Sequence, residues 1–146
     1  MKISIIGTGM IATEVIKMLR NEAKGIKITS IFSHSNKEKA LTLAKENDID
    51  HVYTDYAQLL KEDDADFVYI ALVNNAHYTY VRQALEAQRN VIVEKPFTST
   101  LEEAKLLAQM ARERGLYLFE AVTPLHTPNF QLVKQSLKRI APIHFA

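Results

Sequence analysis

The stretch Lys2-Ile3-Ser4-Ile5-Ile6-Gly7-Thr8-Gly9-Met10-Ile11-Ala12 decides the fold of this chain. An apolar run typical of a buried strand breaks at two glycines, and an amphipathic helix pattern follows. In such a unit Gly7 permits the tight turn, Gly9 lets the backbone approach a pyrophosphate, and Ala12 lets the helix pack closely on the strand. The helix N-terminus directs free N–H groups and a positive dipole end at the phosphates. The pattern therefore predicts dinucleotide binding, and the alternative is a turn that only reverses the chain. The predicted ligands here are Gly7, Thr8, Gly9, Met10 and Ile11.

The composition is that of an ordinary globular protein. The 146 residues suffice for one domain with a sizeable core, and 47% are hydrophobic and 24% charged. The net charge is +1 and no segment combines dense Lys and Arg with aromatic residues, so nothing indicates nucleic acid or a membrane surface as a partner. The absence of cysteine excludes disulfides, thiolate metal sites and cysteine nucleophiles. We predict a cytoplasmic protein without a metal site.

Strand and helix patterns alternate along the whole chain. This alternation predicts parallel strands joined by right-handed crossovers, and hence an α/β fold with a Rossmann-type doubly wound parallel sheet. After the first strand and helix, the predicted strands are residues 27–33, 51–53, 67–72, 91–93 and 116–119, and the predicted helices are residues 35–47, 56–60, 76–88, 100–114 and 127–138. The predicted caps are Ser35 with Glu38, Thr54, Thr100 with Glu103, and Thr127.

The end of the second strand distinguishes two nicotinamide cofactors. A carboxylate at this position accepts hydrogen bonds from a free ribose 2′-OH but repels a 2′-phosphate. No acidic residue lies between Glu22 and Glu38, and the tip reads Ser33-His34-Ser35-Asn36-Lys37, whose hydroxyl, imidazole and ammonium groups suit a phosphate. We therefore predict NADP, with NAD as the alternative, and Ser33, His34 and Lys37 as ligands. The other interpretation is a solvated loop that begins a helix.

An ionisable pair, Glu94-Lys95, directly follows the buried strand at residues 91–93, on the same edge of the sheet as the glycine turn. A partly desolvated lysine near an oxidised, cationic nicotinamide has a lowered pKa and can exchange a proton with a substrate hydroxyl or carbonyl. Lys95 is therefore the candidate catalytic residue, with Glu94 to orient it. The alternative is that Lys95 is a solvated surface charge.

The chain resembles the N-terminal half of the Gfo/Idh/MocA oxidoreductase family, and within it the dimeric dihydrodiol dehydrogenase-like branch. The matching elements follow one another in order over nearly the whole chain. They are the glycine turn, Ser33-His34-Ser35, Asn74 with His77, Glu94-Lys95-Pro96, and Glu120-Ala121 followed by Pro128. The family usually has Pro where Val73 stands, and its members often have an Arg between the positions of Glu120 and Pro128. Related NADP users often have Arg where His34 stands.

The resemblance implies a dehydrogenase that transfers a hydride between the nicotinamide and a small hydroxy or carbonyl compound, such as a sugar, polyol or dihydrodiol. It makes Lys95 the proton donor or acceptor and implies a cis bond before Pro96. It also implies that Glu94 and Lys95 line the cofactor and that His77 approaches the nicotinamide side. The other implied cofactor residues are Leu72 and Asn74. Without the resemblance, Asn74 reads as a helix cap and His77 as a first-turn residue that is satisfied locally.

The resemblance also implies two parts of the chain. We expect an NAD(P)-binding Rossmann domain at residues 1–122, and at residues 123–146 a connecting helix and the start of a second α/β domain, whose first strand opens at Ile143-His144-Phe145-Ala146. In the family this second domain supplies the substrate pocket and the usual dimer interface, so we predict a homo-oligomer and little turnover by this chain alone. Two other functions stay open: a non-catalytic dinucleotide-binding sensor or assembly module, and a structural domain for association only.

Overall fold

The structure, a computed structural model, describes residues 1–140, and the side chains of residues 1–137. The strand predicted to open at residue 143 lies outside the described residues. Within them, six strands alternate with six α-helices, and two short 3₁₀ helices lie at Asn74–Ala76 and Thr123–His126. The strands are β1 Lys2–Ile6, β2 Lys27–Phe32, β3 His51–Tyr53, β4 Phe67–Ile70, β5 Asn90–Val93 and β6 Leu118–Glu120. The helices are α1 Met10–Glu22, α2 Lys37–Glu46, α3 Tyr56–Glu62, α4 His77–Glu86, α5 Leu101–Glu113 and α6 Pro128–Ile140.

All six strands form one parallel sheet in the order β3-β2-β1-β4-β5-β6. The chain winds outward from β1 in one direction through β3, then returns to β4 on the other side of β1. This reversal leaves a crevice at the carboxyl ends of β1 and β4, the place where sheets of this kind bind ligands. The predicted Rossmann-type doubly wound sheet is confirmed.

The central strands β1 and β4 are buried on both faces: successive residues of a strand point to opposite sides, and residues 3–6 and 68–70 are all buried. Ile3 and Ile5 of β1 pack in one core with α1 and α2, whereas Ile6 and Ile70 belong to the other core, with α3, α4 and α5. This double burial explains why the predicted strand at residues 67–72 is apolar without alternation. In the described part of the chain, no helix has the length and apolar character needed to cross a membrane.

Two of the predicted caps are wrong by one residue. Asn36, not Ser35, caps α2, and its side chain accepts a hydrogen bond from the Lys39 backbone N–H at 2.9 Å. Likewise Asp55, not Thr54, caps α3. Ser, Thr, Asn and Asp are all good caps, so neighbouring candidates cannot be separated by residue type. The deciding factor is the first residue with helical backbone.

The other two predicted caps are confirmed. Thr100 and Glu103 form the reciprocal capping box at the start of α5. The Thr127 hydroxyl accepts from the Phe130 backbone N–H at 3.3 Å at the start of α6. The last strand lies slightly later than predicted, at Leu118–Glu120, because it is set by pairing with β5.

Arg89 joins the amino-terminal edge of the sheet to the end of α3 by hydrogen bonds. Its guanidinium donates to the carbonyl oxygens of Leu60 at 2.8 Å and Asp63 at 2.6 Å. Leu60 lies in the last turn of α3, where carbonyl groups lack partners within the helix. A half-buried cation at this position also interacts favourably with the helix dipole. Arg89 thus connects the start of β5 to the end of α3.

We expect Arg89→Met to lower the free energy of unfolding by about 2–3 kcal/mol, because two carbonyl groups lose a charged donor. Arg82→Met is the matched control: Arg82 is exposed and pairs with Glu86 on one helix face, Nε to Oε1 at 3.0 Å. Its loss should cost about 0.5 kcal/mol or less. Urea denaturation measures both changes, and equal changes would contradict the role given to Arg89.

Candidate functional site

A cleft of about 410 Å³ lies at the carboxyl edge of the sheet, at the switch between β1 and β4. It brings together the glycine turn, the tip of β2, the segment after β4 and the Glu94-Lys95 pair. Of the predicted site residues, Lys37 and His77 are outside its lining. The lining residues are Gly7, Thr8, Gly9, Met10, Ile11, Ser33, His34, Ser35, Ala71, Leu72, Val73, Asn74, Glu94 and Lys95.

Glycine suits the two positions of the turn for different physical reasons. Gly7 has a φ of +124°, and a Cβ at this position would lie 2.4 Å from the Ala71 carbonyl oxygen. Gly9 has ordinary backbone angles, and no atom of the described residues lies within 4 Å of a Cβ built there. Gly7 is therefore required by the fold, whereas Gly9 leaves space on the cleft side of the backbone.

The N-terminus of α1 opens on this cleft. Its N-cap is Gly9, so no side chain caps the helix, and the first turn contains no acidic residue. The first backbone N–H groups of a helix have no partner within it and favour an anion. Ala12 is fully buried, as the close packing of α1 on β1 requires. The turn and the helix end therefore fit the pyrophosphate of a dinucleotide.

The tip of β2 borders the cleft on its other side. Ser33 is buried, its Oγ lies 3.4 Å from Thr8 Oγ1, and it accepts from the Asn36 backbone N–H at 3.1 Å. His34 is exposed at the cleft, and Lys37 is exposed as the first residue of α2. Ser33 thus helps to fix the tip, while the imidazole and the ammonium are left to solvent.

Tyr69 holds the carboxylate of Glu94. Its hydroxyl donates to Glu94 Oε1 at 2.7 Å, and Glu94 Oε2 accepts from the Lys95 backbone N–H at 3.2 Å. Burial of Tyr69, together with its bond to Glu94, raises the pKa of the phenol above its usual range, so the hydroxyl keeps the proton it donates. Tyr69 was not among the site residues predicted from the sequence. The available signal was a tyrosine within a fully buried strand, which needs a partner for its hydroxyl.

Lys95 stands where two clefts meet. Together with Glu94 it lines the first cleft and a second one of about 380 Å³. The second cleft lies between α1 and residues 121–124, with Ile11 and Thr123 among its lining. The Lys95-Pro96 bond is cis, as the resemblance implies. The expected partial desolvation of Lys95 is not found among residues 1–140, because its position on the rim of both clefts leaves it exposed.

His77 lies behind the cleft rather than on its wall. Its side chain is fully buried, with Nδ1 2.9 Å from the Pro96 carbonyl oxygen and Nε2 3.2 Å from that of Leu72. Asn74 lines the cleft at the start of a 3₁₀ helix, and its side chain caps neither this helix nor α4. The interpretation of Asn74 as a helix cap is therefore wrong.

The family is shown by comparison with known proteins. Residues 1–122 match the model of the Gfo/Idh/MocA family, described as an oxidoreductase family with an NAD-binding Rossmann fold. The chain belongs to this family. It is 32% identical over 142 residues to the uncharacterized oxidoreductase YgjR of Escherichia coli, covering 97% of this chain and 43% of YgjR.

Two solved structures have the same fold as this chain. KijD10, a 3-ketoreductase from Actinomadura kijaniata in complex with TDP-benzene and NADP, has a TM-score of 0.86 at 31% identity, over 95% of this chain and 43% of KijD10. The WlbA dehydrogenase of Chromobacterium violaceum, in complex with NADH and UDP-GlcNAcA, has a TM-score of 0.88 at 19% identity, over 95% of this chain and 40% of WlbA. The chain thus spans about two fifths of the length of these relatives.

The two glycines should respond differently to alanine. Gly7→Ala should lower the free energy of unfolding by about 2 kcal/mol or more, because it combines backbone strain with a clash against the Ala71 carbonyl. Gly9→Ala should change it by less than about 1 kcal/mol, since its Cβ enters open space. Chemical denaturation of both variants checks this expectation. A similar loss in both would mean that the turn does not pass as closely over Ala71 as described.

Proposed function

We propose that this protein is an NAD(P)-dependent oxidoreductase that prefers NADP and transfers a hydride to or from a small hydroxy or carbonyl compound, such as a sugar, polyol or dihydrodiol. The observation that carries the proposal is that one cleft is lined by both Lys95 and Gly9, and that the space beside the Gly9 backbone is open. Residues 1–122 form the cofactor-binding part in this proposal, and residues 123–146 supply a connecting helix and the start of a second α/β domain.

The cofactor assignment follows the lining of the cleft and the nearby charge of Lys37. The Gly9 backbone and the N-terminus of α1 would hold the pyrophosphate, and the tip of β2 would hold the adenosine ribose. His34 lies at the tip, and Lys37 follows as the first residue of α2. The tip contains no carboxylate. This charge pattern supports a 2′-phosphate, as does the NADP bound by KijD10, whereas WlbA binds NADH. The preference for NADP therefore rests on His34 and Lys37.

Lys95 supplies the proton chemistry. When bound, the nicotinamide accepts or donates the hydride. As a substrate hydroxyl becomes a carbonyl, the neutral amine of Lys95 would take up the hydroxyl proton, and in the reverse direction the ammonium would give that proton to the oxygen. Glu94 accepts from the Lys95 backbone N–H and is itself fixed by Tyr69. This arrangement holds the backbone at Lys95, while its exposed side chain can reach the substrate.

A non-catalytic dinucleotide-binding sensor or assembly module is the second candidate. It is favoured by the exposure of Lys95, whose ammonium needs a drier surrounding for efficient proton transfer. A homo-oligomer and a cytoplasmic location stay predictions. Leu125 and Phe130, which are 43% and 38% exposed, offer apolar surface for a neighbouring subunit.

We expect the chain to bind NADPH more tightly than NADH in calorimetric titrations at fixed salt. His34→Ala and Lys37→Met should each weaken NADPH binding by about tenfold, the effect of losing one charged hydrogen bond, and leave NADH binding unchanged. Lys39→Met is the matched control, because Lys39 is also an exposed lysine of α2 and lies two positions after Lys37. Binding of neither dinucleotide would refute the proposal, and equal affinities would refute its NADP preference.

In a preparation that turns over substrate, Lys95→Met should lower turnover by about 10²- to 10⁴-fold, the contribution typical of an acid–base group. The affinity for NADPH should change far less, because the proposed phosphate ligands lie elsewhere in the cleft. Steady-state kinetics and calorimetry measure the two quantities. Lys105→Met serves as the control, since Lys105 is exposed on α5, away from both clefts. Unchanged turnover would remove Lys95 from the mechanism.

A further inference from the structure

We propose that His77 is a positioning residue that acts through Lys95: its buried ring, at the start of α4, holds the Lys95-Pro96 segment in place. This inference rests on the proposed function, because it concerns the placement of the proposed proton donor. His77 itself touches neither cleft.

The position of the ring is the first observation. His77 is the first residue of α4 and has no exposed surface. Each of its nitrogens lies at hydrogen-bond distance from a carbonyl oxygen, Pro96 at 2.9 Å and Leu72 at 3.2 Å. A buried polar ring needs such partners. One partner directly follows Lys95, and the other lines the cofactor cleft after β4.

The chemistry of imidazole makes the two bonds unequal. A neutral ring carries one N–H, and a carbonyl oxygen only accepts, so the neutral ring donates to one of the two carbonyls at a time. The shorter contact is from Nδ1 to Pro96. We therefore assign the Nδ1–H bond to Pro96 as the one that fixes the segment carrying Lys95.

Other hydrogen bonds hold the same segment but join it to strands of the sheet rather than to α4. The Phe97 backbone N–H donates to Glu120 Oε1 at 2.8 Å, which ties the segment to β6 on its outer side. Glu94 is bonded to Tyr69 at 2.7 Å on the neighbouring strand β4. The Nδ1–H bond of His77 differs from these because it joins the segment to the start of α4. Loss of this bond should therefore release the segment that carries Lys95.

Three variants separate the two bonds. The amide nitrogen of asparagine lies near the position of Nδ1, so His77→Asn should keep the bond to Pro96. The longer glutamine places its amide nitrogen near Nε2, so His77→Gln should keep only the bond to Leu72. His77→Ala loses both. If the alanine variant does not fold, the asparagine and glutamine variants still give opposite expectations.

The first readout is amide hydrogen exchange in the 146-residue chain, which needs neither cofactor nor turnover. We expect exchange at Lys95 and Phe97 to rise by about tenfold in His77→Ala and His77→Gln, and to stay near the native rate in His77→Asn. Exchange at Val81, within α4, should not change. An increase in the exchange rate at Val81 equal to that at Lys95 would overturn the proposal. A native exchange rate at Lys95 and Phe97 in His77→Gln but not in His77→Asn would overturn it as well.

The second readout is kinetic. Where substrate is turned over, His77→Ala should lower kcat by about 10²-fold with little change in KM, the effect of a misplaced catalytic group. In the Lys95→Met background the same change should add almost nothing, because the two residues act as one unit. Additive losses would overturn the proposal. If the native chain binds neither dinucleotide, the proposed function fails, and the hydrogen exchange result still decides the role of His77.

Discussion

The close passage of the Gly7 backbone over the Ala71 carbonyl oxygen is the constraint on which the site depends. β1 lies at the centre of the sheet beside β4, so the turn after β1 must cross the end of its neighbour. A side chain at Gly7 would collide with that end at 2.4 Å. Because the turn stays tight, α1 begins directly above the sheet edge and its N-terminus opens on the cleft.

The fold could be predicted from the sequence because it depends on local signals. The glycine turn, the buried strands and the alternation with helices are all visible within short windows, and the fold persists in WlbA at 19% identity with a TM-score of 0.88. The caps Ser35 and Thr54 were wrong because each has an equally good capping residue beside it. The exact start of a helix depends on how the helix packs against the sheet, and the type of a single residue does not reveal this packing.

The site could be predicted only in part, for a different physical reason. Lys95 and Gly9 follow strands that end at the same sheet edge, so their proximity follows from the topology. The roles of Tyr69 and His77 depend instead on hydrogen bonds between residues 25 and 19 positions apart. Such bonds are settled by the packed structure. Lys95 is also exposed, whereas partial desolvation was expected from the sequence, because desolvation depends on everything that surrounds a group.

The meeting of the two clefts at Lys95 has a thermodynamic consequence. Glu94 and Lys95 belong to the lining of both, so molecules in the two clefts would touch the same pair of charged side chains. If binding in one cleft moves this pair, the affinities of the two ligands would be coupled, and the coupling would be reciprocal: each ligand would change the affinity of the other by the same factor. Under the proposed function, titrations of a dinucleotide with and without a molecule in the cleft beside α1 would then show linkage rather than independence.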